Sequence, residues 1–371
     1  MKKKALIIPA ALMAVVLSAC GSPVGGAAGS GGGVKVDSHA KKVFDKFNGM
    51  TGTERTDALV KAAQDEGELS LYTSNTDMDD IVDGFSEKYD IDVNTYRGNS
   101  ESVLQRILQE SKAGFAGADL IETNSGELNV IGKEGLFYPY KSEFRDAVRP
   151  EGQKDTWTAD RFNVFTIAYN TDMVKGADVP TSLEQFTDPK WKGKISMEVG
   201  DVDWFSAMYN YYLEKGKTAD EVKDLFKKIA ANAKIVKGHT VQAELLSAGE
   251  FAAGTSMYTH SVQEGTEEGR PIAWRTDANP PAQPLVIRPN GVGLLGTAKH
   301  PAAALLFTDY LLSDGQKSIA DAYRIGSVPG KEDPLAGLDT IEVDENEMLN
   351  NAKKWDDLYA EILRGGEVTD K

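Results

Sequence analysis

Cysteine is almost missing from this chain. Cys20 is the only one in 371 residues, which excludes an internal disulfide framework. Histidine is scarce as well, and the four, at His39, His239, His260 and His300, show none of the helical His-x-x-x-His spacing that builds a zinc pair. Clusters of lysine and arginine are lacking, and the formal net charge of -16 argues against nucleic acid and against a basic membrane-binding face, because both need cationic patches. The acidity reads as a solvated surface. No apolar run beyond the N-terminal one approaches the ~20 residues of a membrane span, and no repeat of solenoid length is present.

The single cysteine has a telling position. It follows Leu17, Ser18 and Ala19 at the end of an apolar stretch from Ala5, itself preceded by Lys2, Lys3 and Lys4. A basic front, a short apolar middle and small residues at the end form the layout of a secretory signal, so 1–19 is expected to be removed. The Leu-Ser-Ala-Cys ending resembles the lipobox of bacterial lipoproteins, which implies lipidation of Cys20 and two or three acyl chains, each buried methylene contributing about 0.8 kcal/mol. Gly21 to Gly33 is almost wholly Gly, Ser and Ala, so 20–36 is expected to be a flexible tether reaching on the order of 20 Å. An exported chain is expected, anchored at the outer face of the cytoplasmic membrane or periplasmic in a Gram-negative host.

From about Asp37 the chain exceeds the usual size of one domain, and its pattern predicts two α/β lobes. Strands at 68–72, 92–96 and 118–123 alternate with helices whose apolar residues, such as Met78, Ile81, Val82 and Phe85, recur at helical spacing. Each strand ends in a polar turn: Thr73, Ser74 and Asn75; Arg97, Asn99 and Ser100; Thr123 and Asn124. Mostly parallel sheets bind ligands outside the carboxyl ends of their strands, where helix N-termini offer unpaired N–H groups. A second lobe with the same rhythm is expected over 161–284. Its polar turns carry Asp201, Asp203 and Trp204, then His239 and Thr240, then Tyr258 and His260. The extended apolar segment from Pro284 to Gly296 carries the chain back, so 37–160 and 285–371 are expected to complete the first lobe. The segment 40–66 reads as helical, with no functional role beyond packing.

The residues resemble a known family, the solute-binding proteins of bacterial ABC importers, in the branch that contains ferric-iron, thiamine, phosphonate and polyamine binders. The resemblance rests on Glu66-Gly67-Glu68-Leu69-Ser70-Leu71-Tyr72-Thr73-Ser74, on Ala168-Tyr169-Asn170-Thr171 and on Pro189-Lys190-Trp191-Lys192-Gly193-Lys194-Ile195. Ala248-Gly249-Glu250 and the run from Gly293 to Leu311 add to it. It implies a two-lobed type 2 periplasmic-binding-protein fold, a small-molecule solute in the interlobe cleft, delivery to ABC permease subunits, a monomer, and no cofactor or catalytic residue.

Two ligand chemistries stay open at this point. Hydroxyl, amide and cationic groups at Thr73, Ser74, Asn75, Arg97, Asn99, Ser100, Thr123, Asn124, His239, Thr240 and Tyr258, with Arg275 as a further cation, suit an anion. Asp203 beside the Trp204 ring suits an amine, and both sets together describe a zwitterion such as an aminoalkyl phosphonate. The alternative is ferric iron. The resemblance implies tyrosine ligands, commonly an adjacent pair at the end of the strand that reads Met257-Tyr258-Thr259-His260 here, and hard Fe(III) favours such oxygen donors. One tyrosine stands there, so Tyr258, His260 and Tyr72, with Tyr96 nearby in sequence, are the metal candidates. The adjacent Tyr211 and Tyr212 fall within a helix and read as packing residues.

Enzyme signals are weak. Gly291 to Gly296 matches the dinucleotide pattern by letter but lacks the helix that must follow at once, and Gly98-Asn99-Ser100-Glu101-Ser102 lacks the closing glycine of a nucleophile elbow. An exported hydrolase and a surface adhesin remain the readings from other classes.

Overall fold

The computed structural model describes residues 36–330 and 333–368. Cys20, the expected signal segment and all but the last residue of the expected tether lie outside them. Helices α1 (Ser38–Asn48) and α2 (Gly52–Glu66) come first. The Asp37 carboxylate caps α1, accepting from the His39 and Ala40 N–H groups at 2.7 and 3.1 Å. The expected single helical stretch is thus broken between Gly49 and Thr51.

Three strand–helix units follow: β1 (Glu68–Thr73) with α3 (Met78–Tyr89), β2 (Asp92–Arg97) with α4 (Ser100–Ala113), and β3 (Leu120–Asn124) with α5 (Ser125–Lys133). Both β2 and β3 run parallel to β1. Short β4 (Phe137–Tyr138) and α6 (Glu143–Asp146) lead to β5 (Thr158–Asn170), a strand buried at every position. A second parallel set is made by β6 (Ile195–Glu198), α7 (Val202–Glu214), α8 (Ala219–Asn232), β7 (Ala233–Val236), α9 (His239–Ser247), β8 (Ala253–Tyr258), α10 (Thr259–Glu267) and the short β9 (Ile272–Ala273). Here β6 lies parallel to both β7 and β8. The chain then runs through β10 (Leu285–Leu295), α11 (Pro301–Leu311), α12 (Gly315–Asp321), β11 (Ile325–Gly326), β12 (Thr340–Glu342), α13 (Glu345–Leu363) and β13 (Glu367–Val368).

All strands join one hydrogen-bonded sheet, ordered β13-β7-β6-β8-β5-β10-β3-β1-β2, with the four short strands paired off this path. Strands β5 and β10 pair antiparallel at its middle, and each is antiparallel to its outer neighbour, β8 and β3 respectively. Two long buried strands therefore connect two parallel halves. Being covered on both faces, they read as apolar runs rather than as alternation. Helix α11 is buried at every residue, which is why Pro301 to Leu312 is apolar on all sides.

The tail departs from the expected division. Trp355, Tyr359, Ile362 and Leu363 of α13 belong to the same core as Phe205 and Phe226 of α7 and α8, and β13 extends the sheet beside β7. Residues from about 355 onward therefore pack with the 161–284 elements, whereas the start of α13 reaches α5 of the first half, where Asn129 donates to Glu345 and Lys133 to Asn350.

The glycines of the dinucleotide-like run serve packing within β10. A Cβ on Gly291 would stand 2.4 Å from the Thr158 carbonyl oxygen and 2.6 Å from the Trp157 ring, and the register of β5 against β10 shifts at this point. Gly291→Ala is expected to destabilise the fold by about 1–3 kcal/mol, the usual cost of overpacking. Urea denaturation with an unchanged slope checks it, and a variant as stable as the parent would contradict it.

Candidate functional site

A cleft of about 420 Å³ opens between the two halves of the sheet. Its walls are Ser100 of α4; Asn124, Ser125, Gly126 and Glu127 at the start of α5; Gly200, Val202 and Asp203 at the start of α7; and Glu345, Met348 and Leu349 of α13. Arg288 of β10 reaches into it from below. Four helices, α4, α5, α7 and α13, thus present their first turns to one space. Neither N-cap side chain closes α5 or α7: the Asn124 Oδ1 accepts instead from the Asn290 amide at 2.6 Å, while on α7 the Asp203 carboxylate accepts from the Trp204 N–H at 2.8 Å. Their leading N–H groups carry the partial positive charge of a helix N-terminus.

Arg288 is the central cation. Its guanidinium donates to Asp203 at 2.5 Å and to the Tyr258 hydroxyl at 2.8 Å, while its Nε is buried without a partner. Burial opposes its charge, yet Tyr258 and Asp203 outweigh that and hold it protonated. Burial likewise pushes the Tyr258 phenol well above its ordinary value. The His239 ring stacks on Tyr258 with centroids 3.7 Å apart, and His260 stacks on it at 5.2 Å. Burial, then the fields of Arg324, His239 and Arg161, push His260 far down, so it is neutral. Burial also opposes charge on His239, but Asp201, 3.0 Å from its Nε2, and Glu198 raise its pKa overall.

The first half of the sheet supplies a second buried charged group. Arg161 of β5 pairs with Glu122 and, at 2.8 Å, with Asp160. Burial lifts the Asp160 carboxyl to about 6. Arg324 pairs with Asp77 and donates to the Thr76 hydroxyl at 3.0 Å. Unpartnered buried polar atoms gather along the crossing strands and their flanks: Asn75 Nδ2, Arg161 Nε, Asn163 Oδ1, Arg288 Nε and Asn290 Oδ1.

The structure sorts the residues expected from sequence. Ser100, Asn124 and Asp203 line the cleft. Thr73, Ser74, Asn75 and Thr123 knit together beside it: the Thr73 hydroxyl bonds Glu122, the Asn75 N–H donates to Thr73 at 2.9 Å, and Thr123 bonds Ser74 at 3.0 Å. Asn99 caps α4 by accepting from Ser102 at 2.8 Å. Several expectations need correction. Arg97 is exposed at the end of edge strand β2 and Thr240 is exposed on α9. Trp204 is 2% exposed and packs edge-on against Phe226, a core residue rather than an amine platform. Tyr72 does not join Tyr258, because its hydroxyl donates to Glu110 of α4 at 2.9 Å and Arg106 lies over its ring. Arg106 also lies over Tyr96. Arg275 stacks on Trp274 and donates to the Pro334 carbonyl. Tyr211 and Tyr212 pack on the core of the second half, as expected.

Arg161, Arg288 and Arg324 were missed, as was Glu345. The signal for the first two was present: a lone arginine inside an apolar strand run has no bland role, since burying a charge is costly unless it is paired.

Comparison with known proteins places this geometry. A Fe(3+)-binding periplasmic protein of Serratia marcescens is 26% identical over 297 residues, covering 76% of this chain and 85% of the relative. The structure of iron-bound HitA from Pseudomonas aeruginosa superposes with a TM-score of 0.66 at 21% identity, covering 80% of this chain and 99% of the other. AfuA from Actinobacillus pleuropneumoniae, bound to exogenous fructose-6-phosphate, superposes with a TM-score of 0.65 at 22% identity and the same coverage. These neighbours have the two-lobed type II periplasmic-binding-protein fold, and this chain shares it. The family model described as "Bacterial extracellular solute-binding protein" matches residues 128–360, well over half of the sequence. With its cleft between two parallel half-sheets, the chain is a solute-binding protein of an ABC importer and belongs to the bacterial extracellular solute-binding protein family.

Proposed function

We propose that the cleft captures a phosphate ester or phosphonate and presents it to the permease. The observation that carries this reading is Arg288, a part-buried guanidinium beside the first turns of α5 and α7. Guanidinium and helix N-termini are the groups that recognise such oxyanions. Asp203, Glu127 and Glu345 on the same walls suit a cationic or hydroxylated remainder, so a zwitterion or a sugar phosphate fits the chemistry. A volume of about 420 Å³ matches a small solute.

Ferric iron is the second reading, favoured by Tyr258 between two imidazoles and by relatives named for iron. The geometry supports it less well. The Tyr258 oxygen already accepts from Arg288, burial raises its pKa, and Tyr72 is engaged elsewhere, donating to Glu110. On this reading of the protein, Cys20 carries the lipid anchor and 37–160 and 161–284 close on the solute as lobes. Among the described residues no helix is long and apolar enough to cross a membrane.

Thermal unfolding with hexose phosphate, glycerol phosphate, aminoethylphosphonate, ferric citrate and a neutral hexose, each added separately, tests the assignment. A ligand at a hundred times its dissociation constant stabilises the native state by about 2.7 kcal/mol. A raised midpoint with the phosphorus oxyanions and none with the neutral hexose is the expected result. A shift with ferric citrate alone would overturn it.

A further inference from the structure

Two carboxylates and an imidazole meet where β6 and β7 end. Glu198, Asp201 and His239 each bring one potential ligand atom, and these atoms lie within 4.8 Å of one another. Asp201 is 2% exposed, and its Oδ2 has no partner although Oδ1 faces His239. Nδ1 of His239 is buried without a partner too. Glu198 is held by two backbone N–H groups, from Gly200 at 2.5 Å and from Gly238 at 2.7 Å. Gly238 delivers the second from a φ of +94°, a conformation other residues rarely adopt. One bond falls on each Glu198 oxygen, so each keeps a lone pair free.

We propose that Glu198, Asp201 and His239 form a binding site for a divalent first-row transition metal such as Zn²⁺ or Mn²⁺. Two carboxylate oxygens and one imidazole nitrogen are a donor set these ions take. Metal–ligand bonds of about 2.1 Å let donors stand at most ~4.2 Å apart, so the ion draws the group slightly inward. The site uses no tyrosine, although His239, which stacks on Tyr258, is common to it and to the ferric reading. Three protein donors leave coordination positions open. Asp201 directly precedes α7, whose Val202 and Asp203 line the cleft; that the open positions face a bound oxyanion rests on the proposed function, whereas metal binding itself does not.

Calorimetric titration of ZnCl₂ and MnCl₂ into the purified, chelator-treated protein without solute tests the site. One equivalent is expected to bind, and Asp201→Asn and His239→Gln are each expected to weaken it at least tenfold with the metal-free circular dichroism unchanged. Should either variant fold poorly, anomalous difference density in a zinc-soaked crystal of the parent protein decides: a peak between the three side chains supports the site. No stoichiometric binding, or binding that both variants retain in full, or a peak elsewhere only, would overturn it. Phosphate-ester binding by the chelator-treated protein bears on the proposed function alone, so the two can fail separately.

Discussion

Arg288→Met is expected to cut affinity for a phosphate ester or phosphonate by 100-fold or more. At 1.4 kcal/mol per tenfold this is about 2.8 kcal/mol, within reach of one or two charge-assisted hydrogen bonds. Methionine keeps much of the apolar stem, so the loss reports the guanidinium. The variant also leaves Asp203 without its cation and the Tyr258 hydroxyl without its donor, which is expected to lower stability by about 3 kcal/mol, as when one partner of a buried pair is removed. Calorimetric titration below the variant's own unfolding midpoint separates the two effects. The ferric reading makes the opposite forecast. Releasing the Tyr258 oxygen from Arg288 would leave ferric citrate binding intact or tighter, and that outcome with unchanged phosphate-ester affinity would dismiss the oxyanion assignment.

Asp309→Ala is expected to cause the largest stability loss away from the cleft, about 3–5 kcal/mol. Asp309 sits on α11, 4% exposed, opposite Arg55 of α2, 2% exposed. Arg55 bonds it with both terminal nitrogens and sends its Nε to the Phe47 carbonyl at 3.1 Å, and the Tyr140 hydroxyl donates to the same carboxylate at 2.5 Å. Removing the carboxylate strands a guanidinium in a core of α1, α2 and α11. Urea denaturation measures the loss. The double variant Arg55→Met with Asp309→Ala is expected to lose less than the sum of the singles, because neither charge is then left alone. Additive losses would show that the pair is not a unit.

Local pattern carried much of the fold. Met78, Ile81 and Phe85 mark the buried face of α3 in the sequence and in the structure. The polar turns after β1, β3, β6, β7 and β8 were legible because helix caps and strand ends use characteristic residues. Ser100, Asn124 and Asp203 were found that way. Trp204 and Tyr72 were misread for one reason: a turn residue's position says where its backbone goes, while its side chain is directed by what packs beside it, here Phe226 and Glu110. The 340–368 tail shows the same limit. Its helical spacing is visible in Trp355, Tyr359 and Ile362, yet which half of the sheet buries them depends on which face remains open.

Sequence by itself determined the α/β class, the rhythm of strand and helix, the scarcity of thiols and the family likeness, since these follow from periodicity, composition and ordered motifs within short stretches. Tertiary structure alone decided that Arg288 stands between Asp203 and Tyr258, that Arg161 meets Glu122, and that Glu198, Asp201 and His239 come together. Apart from the neighbours Glu198 and Asp201, those partners are 30 to 85 positions apart, as in Arg288 with Tyr258 and Asp203. Charge pairing across such separations is set by sheet order and strand register, which no local pattern encodes.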